Sequence, residues 1–143
     1  MPQPTTLNTN SPEETIALGR KLAGQLVPPR LVLLRGELGA GKTTLVKGIV
    51  EGFAAAAQQE VTSPTFTLIH EYSSPKADIY HIDLYRIDSQ RELDTLAIDD
   101  LFSDKSLVII EWGEKFERFR CERDVEIAIE RAGETQRVIT VTA

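Results

Sequence analysis

One octapeptide constrains this chain more than any other feature: Gly36-Glu37-Leu38-Gly39-Ala40-Gly41-Lys42-Thr43 fits the pattern G-x-x-x-x-G-K-[ST]. Its setting matches its chemistry. Leu31 to Leu34 form a wholly apolar run just before it, and Leu45, Val46, Ile49, Val50 and Phe53 recur at helical spacing just after it. The expected arrangement is a buried strand, a glycine turn and a helix. A loop that wraps a phosphate must aim successive backbone N–H groups inward, which glycines permit. The helix start adds unpaired N–H groups and the positive end of its dipole. Lys42 is the candidate partner of the β and γ phosphates, and the Thr43 hydroxyl the candidate magnesium ligand. The candidate ATP/ADP cradle is Gly36, Glu37, Leu38, Gly39, Ala40, Gly41, Lys42, Thr43 and Thr44. A chance match in a chain this long arises on the order of 0.5% of the time, so the pattern carries weight.

The flanking sequence predicts an α/β domain. Ser11 is a helix cap, Pro12 suits the first helical position and Glu14 completes a capping pattern. Thr15, Leu18, Gly19, Leu22, Ala23 and Leu26 continue as an apolar face, and Pro28-Pro29 ends it. After Pro64 the period becomes two, so Phe66–Tyr72 and Ile79–Arg86 are expected to pair as a hairpin across Ser73–Lys76. A short helix is expected over about Ser89–Leu101, and a second buried strand over Leu107–Ile110. Val125–Ile129 and Arg137–Thr142 form a second hairpin around Ala132-Gly133-Glu134. Gly48 and Gly52 are expected to bring the phosphate-loop helix close to the sheet. The expectation is one domain over residues 1–143, a P-loop NTPase-like three-layer α/β domain with a mixed parallel/antiparallel sheet.

Charge narrows the function. Among 143 residues, 22 are acidic and 16 basic, a net charge of −6, with a pI near 5.0. Direct gripping of nucleic acid runs on Lys/Arg contacts to phosphate, and docking on an anionic membrane needs basic residues too; this balance argues against both. The lone Cys121 excludes an internal disulfide and a cysteine metal cage. No apolar run approaches the roughly 20 residues of a membrane span. Met1-Pro2-Gln3-Pro4 lacks a basic start and an apolar signal core, so a cytoplasmic protein is expected.

A phosphate-loop enzyme needs a carboxylate at a strand end for the magnesium shell. Glu111 follows the purer apolar strand and is the stronger metal candidate; Asp83, after Ile79–Ile82, is a magnesium-shell or water-positioning acid. His81, Asp83 and Tyr85 alternate, which would put them on one strand face. His81 stands open between a structural role and a metal ligand. Thr62-Ser63-Pro64-Thr65 is either a segment that senses the γ phosphate or an ordinary loop. Lys115–Arg123 reads as a lid, a docking surface or a solvated charged loop. Trp112, the only tryptophan, either reports on the site or plugs the strand end. No arginine stands where a motif would place it against the phosphates.

Together the phosphate loop, Thr62-Ser63-Pro64-Thr65-Phe66, His81-Ile82-Asp83-Leu84-Tyr85-Arg86 and Glu111-Trp112 resemble the TsaE (YjeE) family, in order and spacing and over nearly the whole chain. The resemblance implies a bacterial ATPase in the synthesis of N6-threonylcarbamoyladenosine in tRNA, working with TsaB and TsaD, meeting tRNA only through that complex, and hydrolysing ATP appreciably only within it. It implies phosphate contact by Lys42, magnesium held by Thr43 and Glu111, and an Asp83 essential for hydrolysis. It places Gly133, and Ser11 and Pro12, near bound nucleotide, with Thr65 and Trp112 also at the site. The chain departs from the family at Gly113, where proline is frequent. Three other readings compete: a small-molecule kinase with Lys115–Arg123 as its lid, a GTPase switch, which lacks N-K-x-D and D-x-x-G here, and a non-catalytic nucleotide-binding adaptor.

Overall fold

The computed structural model describes residues 4–55, 61 and 68–143. Its elements run β1 (Thr5–Thr9), α1 (Pro12–Ala23), β2 (Arg30–Arg35), α2 (Lys42–Gly52), β3 (Ile69–Ser73), β4 (Asp78–Asp83), α3 (Gln90–Thr95), β5 (Ser106–Glu111), α4 (Glu117–Glu122), β6 (Val125–Arg131) and β7 (Arg137–Thr142). All seven strands form one sheet in the order β1-β7-β6-β2-β5-β4-β3. The inner four, β6, β2, β5 and β4, are parallel, while β3, β7 and β1 pair antiparallel outside them. This is the mixed sheet expected, with both hairpins in place.

The apolar strands behave as their composition requires. Leu31–Leu34 and every residue of β5 are buried, because parallel strands covered on both faces have no solvent side. One face, carrying Val32, Leu34, Ile79, Leu107, Ile109 and Ile127, packs under α1 and α2. The other, carrying Leu31, Leu33, Ile82, Val108 and Ile110, packs on Leu93, Ile98 and Phe119 from the short helices. Helices on both faces give three layers.

Helix α1 starts where its cap is: the Ser11 hydroxyl accepts from the Glu14 amide at 3.1 Å, and Pro12 occupies the first turn. Gly48 and Gly52 correct the expectation. They face α1, not the sheet. A Cβ on Gly48 would lie 2.0 Å from the Ile16 carbonyl oxygen, and one on Gly19 would lie 2.4 Å from that of Leu45, so the two backbones touch where side chains would hold them apart. The helix expected over Ser89–Leu101 is split into α3 and a 3-10 turn at Ile98–Leu101, with Ala97 at φ 50° between them. β4 ends at Asp83, so Tyr85 leaves the strand face shared by His81 and Asp83. β1 has no counterpart in the sequence reading. It is an exposed edge strand, tied down where the Thr9 and Thr15 hydroxyls meet at 2.7 Å. No described helix is long and apolar enough to cross a membrane.

Candidate functional site

The loop after β2 has the backbone that a phosphate cradle needs. Gly39 and Gly41 are left-handed, with φ of 80° and 106°. Side chains rarely adopt those dihedrals, so the glycines are what let the chain turn there. Gly41 heads α2 with no side-chain cap, so the first-turn amides of α2 receive no side-chain acceptor from the cap residue. They open onto a cleft of about 290 Å³ lined by Leu38, Gly39, Gly41, Lys42, Thr43, Thr44 and Arg137. A larger cleft of about 830 Å³ shares Leu38 and Gly39; Gly36, Trp112, Glu114 and Ile129–Arg131 lie along its wall. The smaller one holds the amides, the lysine and the hydroxyls, so it is the one with phosphate chemistry.

The parallel register brings the acids to the loop. Asp83 and Glu111 are direct neighbours across β4–β5, and Leu34, the penultimate residue of β2, is the neighbour of Glu111. These are carboxyl ends of parallel strands, the end where open α/β sheets bind ligands. Lys42 is almost wholly buried, and its Nζ contacts the Gly36 carbonyl oxygen at 2.6 Å, Glu111 Oε1 at 3.3 Å and the Trp112 ring at 4.9 Å from the centroid. His81, with no solvent exposure, pairs through Nε2 with Glu111 Oε2. Burial pushes the Glu111 carboxyl up, but the His81 hydrogen bond and charge, with the Lys42 ammonium, outweigh it. The net position is below the ordinary carboxylate value. Asp83 is buried as well, and its Oδ1 accepts from the Tyr85 amide at 2.8 Å.

This donor set fits magnesium bound together with phosphate. Thr43 supplies a hydroxyl beside the loop amides, and Glu111 and Asp83 supply oxygens at adjacent strand ends. Among the described residues no three His, Cys, Asp or Glu side chains converge into an all-protein metal cage. Magnesium in nucleotide sites takes one or two side-chain oxygens and completes its shell with phosphate and water.

Residues 9–139 match the family described as Threonylcarbamoyl adenosine biosynthesis protein TsaE. The chain belongs to the TsaE family. It is 38% identical over 135 residues to the tRNA threonylcarbamoyladenosine biosynthesis protein TsaE of Bacillus subtilis, spanning 94% of this chain and 83% of that one. It is 43% identical over 100 residues to the Haemophilus influenzae protein of the same name, spanning 70% of this chain and 62% of that one. Its fold is similar to the crystal structure of Bacillus subtilis YdiB, with a TM-score of 0.77, 33% identity, and coverage of 100% of this chain and 87% of that one.

Gly113 is closely packed. A Cβ there would lie 2.7 Å from Leu33 Cδ2 and 2.8 Å from Ile110 Cγ2, so these neighbours close over the glycine. Trp112 just before it sits at φ 64°, and its ring lies 5.1 Å from that of Tyr85. Its Nε1 is buried with no hydrogen-bond partner among the described residues.

Other candidates lie further out. Ser11 spends its hydroxyl on the helix cap. Ser11 and Pro12 follow β1, whose last residue, Thr9, is paired with Arg137 at the phosphate-loop end of the sheet, yet neither lines either cleft. Gly133 lies two residues past cleft-lining Arg131, and its carbonyl accepts from Arg131 Nε at 3.1 Å and Arg137 Nη1 at 3.2 Å. Thr65, with Thr62–Pro64, falls outside the described residues.

Lys115–Arg123 is not the irregular charged stretch expected. It includes α4, whose Phe119 is fully buried. Lys115 Nζ donates to the Leu84 and Tyr85 carbonyls at 3.0 Å each, and Arg118 pairs with Asp99 and Glu122. These contacts hold the segment against the body instead of leaving a free lid. Sequence reasoning missed Arg137 and the cleft wall at Ile129–Arg131. Neither belongs to a motif, and both reach the loop only through the order of the strands.

Proposed function

We propose that this protein is a magnesium-dependent ATPase subunit of tRNA threonylcarbamoyladenosine synthesis, weak alone and active with TsaB and TsaD in the cytoplasm. The observation that carries the reading is the contact of the phosphate-loop Lys42 with Glu111, at 3.3 Å, with Asp83 the neighbour of Glu111 across β4–β5. Family membership supports the pathway, and the net negative charge suits a subunit that meets tRNA only through its partners.

In this reading the Lys42 ammonium exchanges the Gly36 carbonyl and the Trp112 face for the β and γ phosphates of ATP. The loop amides and the start of α2 hold the rest of the phosphate chain. Thr43 and Glu111 would hold magnesium, which would supply positive charge against the charge that builds during transfer. His81, locked against one Glu111 oxygen, fixes the carboxylate so that its other oxygen faces the loop. Asp83, anchored to the Tyr85 amide, orients water or the outer magnesium shell, a role that matters most in the transition state.

Paired binding and turnover measurements test this. Lys42→Ala is expected to weaken magnesium-ATP binding by roughly a hundredfold, the scale of losing a charge-assisted contact. Asp83→Ala is expected to keep most affinity and lose hydrolysis measured with TsaB and TsaD present. Brisk hydrolysis by the lone chain, or phosphate transfer to a small acceptor, would favour a kinase. Equal loss of binding and turnover in Asp83→Ala would reduce that residue to a structural one.

A further inference from the structure

Arg137, the first residue of β7, stands 97 positions from the carbonyl it holds. Its Nε donates to the Ala40 carbonyl of the phosphate loop at 2.8 Å. Its Nη1 donates to the carbonyls of Gly133, Glu134 and Gln136 at 3.2, 3.4 and 2.9 Å. Nε and Nη1 are thus committed to backbone oxygens, and Nη2 takes no partner among the described residues. No carboxylate among them lies within ion-pairing distance of Arg137, whereas Arg20, Arg35, Arg118 and Arg123 each pair with one. The side chain lines the same small cleft as Lys42, Thr43 and Thr44. It packs beside Gly41, where a Cβ would meet Ile129 Cδ1 at 3.3 Å and Arg137 Nε at 3.5 Å.

Neutral carbonyls do not offset a guanidinium's charge, and with Nε and Nη1 taken up the Nη2 donors remain. A cation fixed in this way beside a phosphate cradle loses little freedom when an anion arrives. We propose that Arg137 is a further phosphate-binding residue of this site, clamping the loop at Ala40 and presenting its Nη2 edge to the phosphate chain of the nucleotide. This rests on the ATP-binding reading above. It names a positive group that the chain supplies from its own C-terminal hairpin, on the side of the loop away from Glu111.

The test measures magnesium-ATP and magnesium-ADP affinity by calorimetry over a range of salt concentrations, for the parent, Arg137→Gln, Arg137→Lys and Lys42→Ala. Arg137→Gln is expected to bind about tenfold more weakly and to show a shallower salt dependence. Arg137→Lys, which keeps charge but cannot bridge the loop and the hairpin turn, should regain part of both. Thermal melts of each variant separate binding from unfolding. If Arg137→Gln binds as the parent does while Lys42→Ala does not, the phosphate loop stands and the role of Arg137 is overturned. If Arg137→Gln loses affinity with unchanged salt dependence and Lys gives no rescue, Arg137 is only a structural clamp and the proposal fails. If Lys42→Ala also binds normally, the ATP-site reading itself fails.

Discussion

On the β5 side of the phosphate loop, Lys42 is held by a carboxylate that is itself held by a histidine, and all three side chains are almost sealed from water. On the β7 side, Arg137 holds the loop through backbone carbonyls alone and stays partly exposed. The first arrangement is a buried charge network. Each member is tolerable only because the others are present, since an unpaired buried charge is costly. The second is a latch. Its acceptors are neutral, its cation remains in contact with solvent, and losing it strands no charge. One flank therefore couples the integrity of the fold to the site, while the other adds affinity at little structural risk.

The largest effect should follow from breaking the buried flank. Glu111→Ala leaves Lys42 and His81 without their carboxylate and is expected to cost about 3 kcal/mol or more of stability, read by urea denaturation. Glu111→Gln, which keeps an acceptor, should cost less. A Glu111→Ala protein as stable as the parent would mean that the network is not coupled to folding.

Acid should act on the same flank. Glu111 titrates below its unfolded value, so its contribution to stability is present above the ordinary carboxylate range and is lost as pH falls through the folded value. The parent should lose stability on acidification below about pH 4 more steeply than Glu111→Gln, in melts of both proteins across that range. Parallel curves would show that other carboxylates dominate.

The exposed flank should respond weakly. Arg137→Gln is expected to change stability by about 1 kcal/mol or less, because it removes carbonyl hydrogen bonds without leaving a buried charge. A loss as large as that of Glu111→Ala would erase the distinction between the flanks. The smallest signal is optical. The Lys42 ammonium lies over the Trp112 ring, so the emission of this single tryptophan should change and saturate as magnesium-ATP or magnesium-ADP draws Lys42 away. GTP should perturb it less, and Lys42→Ala should shift the titration to higher nucleotide concentration. Flat emission with binding confirmed by calorimetry would detach Trp112 from the site.

Much of the site was legible because its signals are local. The phosphate loop declares itself through glycine spacing, and β2 and β5 through uninterrupted apolar runs. α1 is marked by its serine cap and the first-turn proline, and the β6–β7 hairpin by alternation around a glycine turn. Each needs only the residues beside it to take its shape. Asp83 and Glu111 were found because a strand that ends in an acid can be read from one segment. β1 escaped notice because an edge strand of threonine and asparagine with one leucine buries too little to leave a periodic apolar signature.

Strand order decided the rest. Gly48 reads the same whether it faces a sheet or a helix; only the packing of α1 against α2 brings the Ile16 carbonyl to it. His81 becomes the partner of Glu111 because β4 lies beside β5 in a parallel register that aligns His81 with Ile109, two residues before Glu111 on the same strand. Arg137 reaches Ala40 because β6 lies beside β2 and β7 folds back along β6. Hydrogen-bonding shape and burial pattern are properties of a short stretch of chain, so the amino-acid sequence alone determined the cradle and the strands that carry the acids. The partners of a charge are set by which strands become neighbours, and that choice belongs to the whole sheet, so only the tertiary structure decided how Lys42, Glu111, His81 and Arg137 meet around the loop.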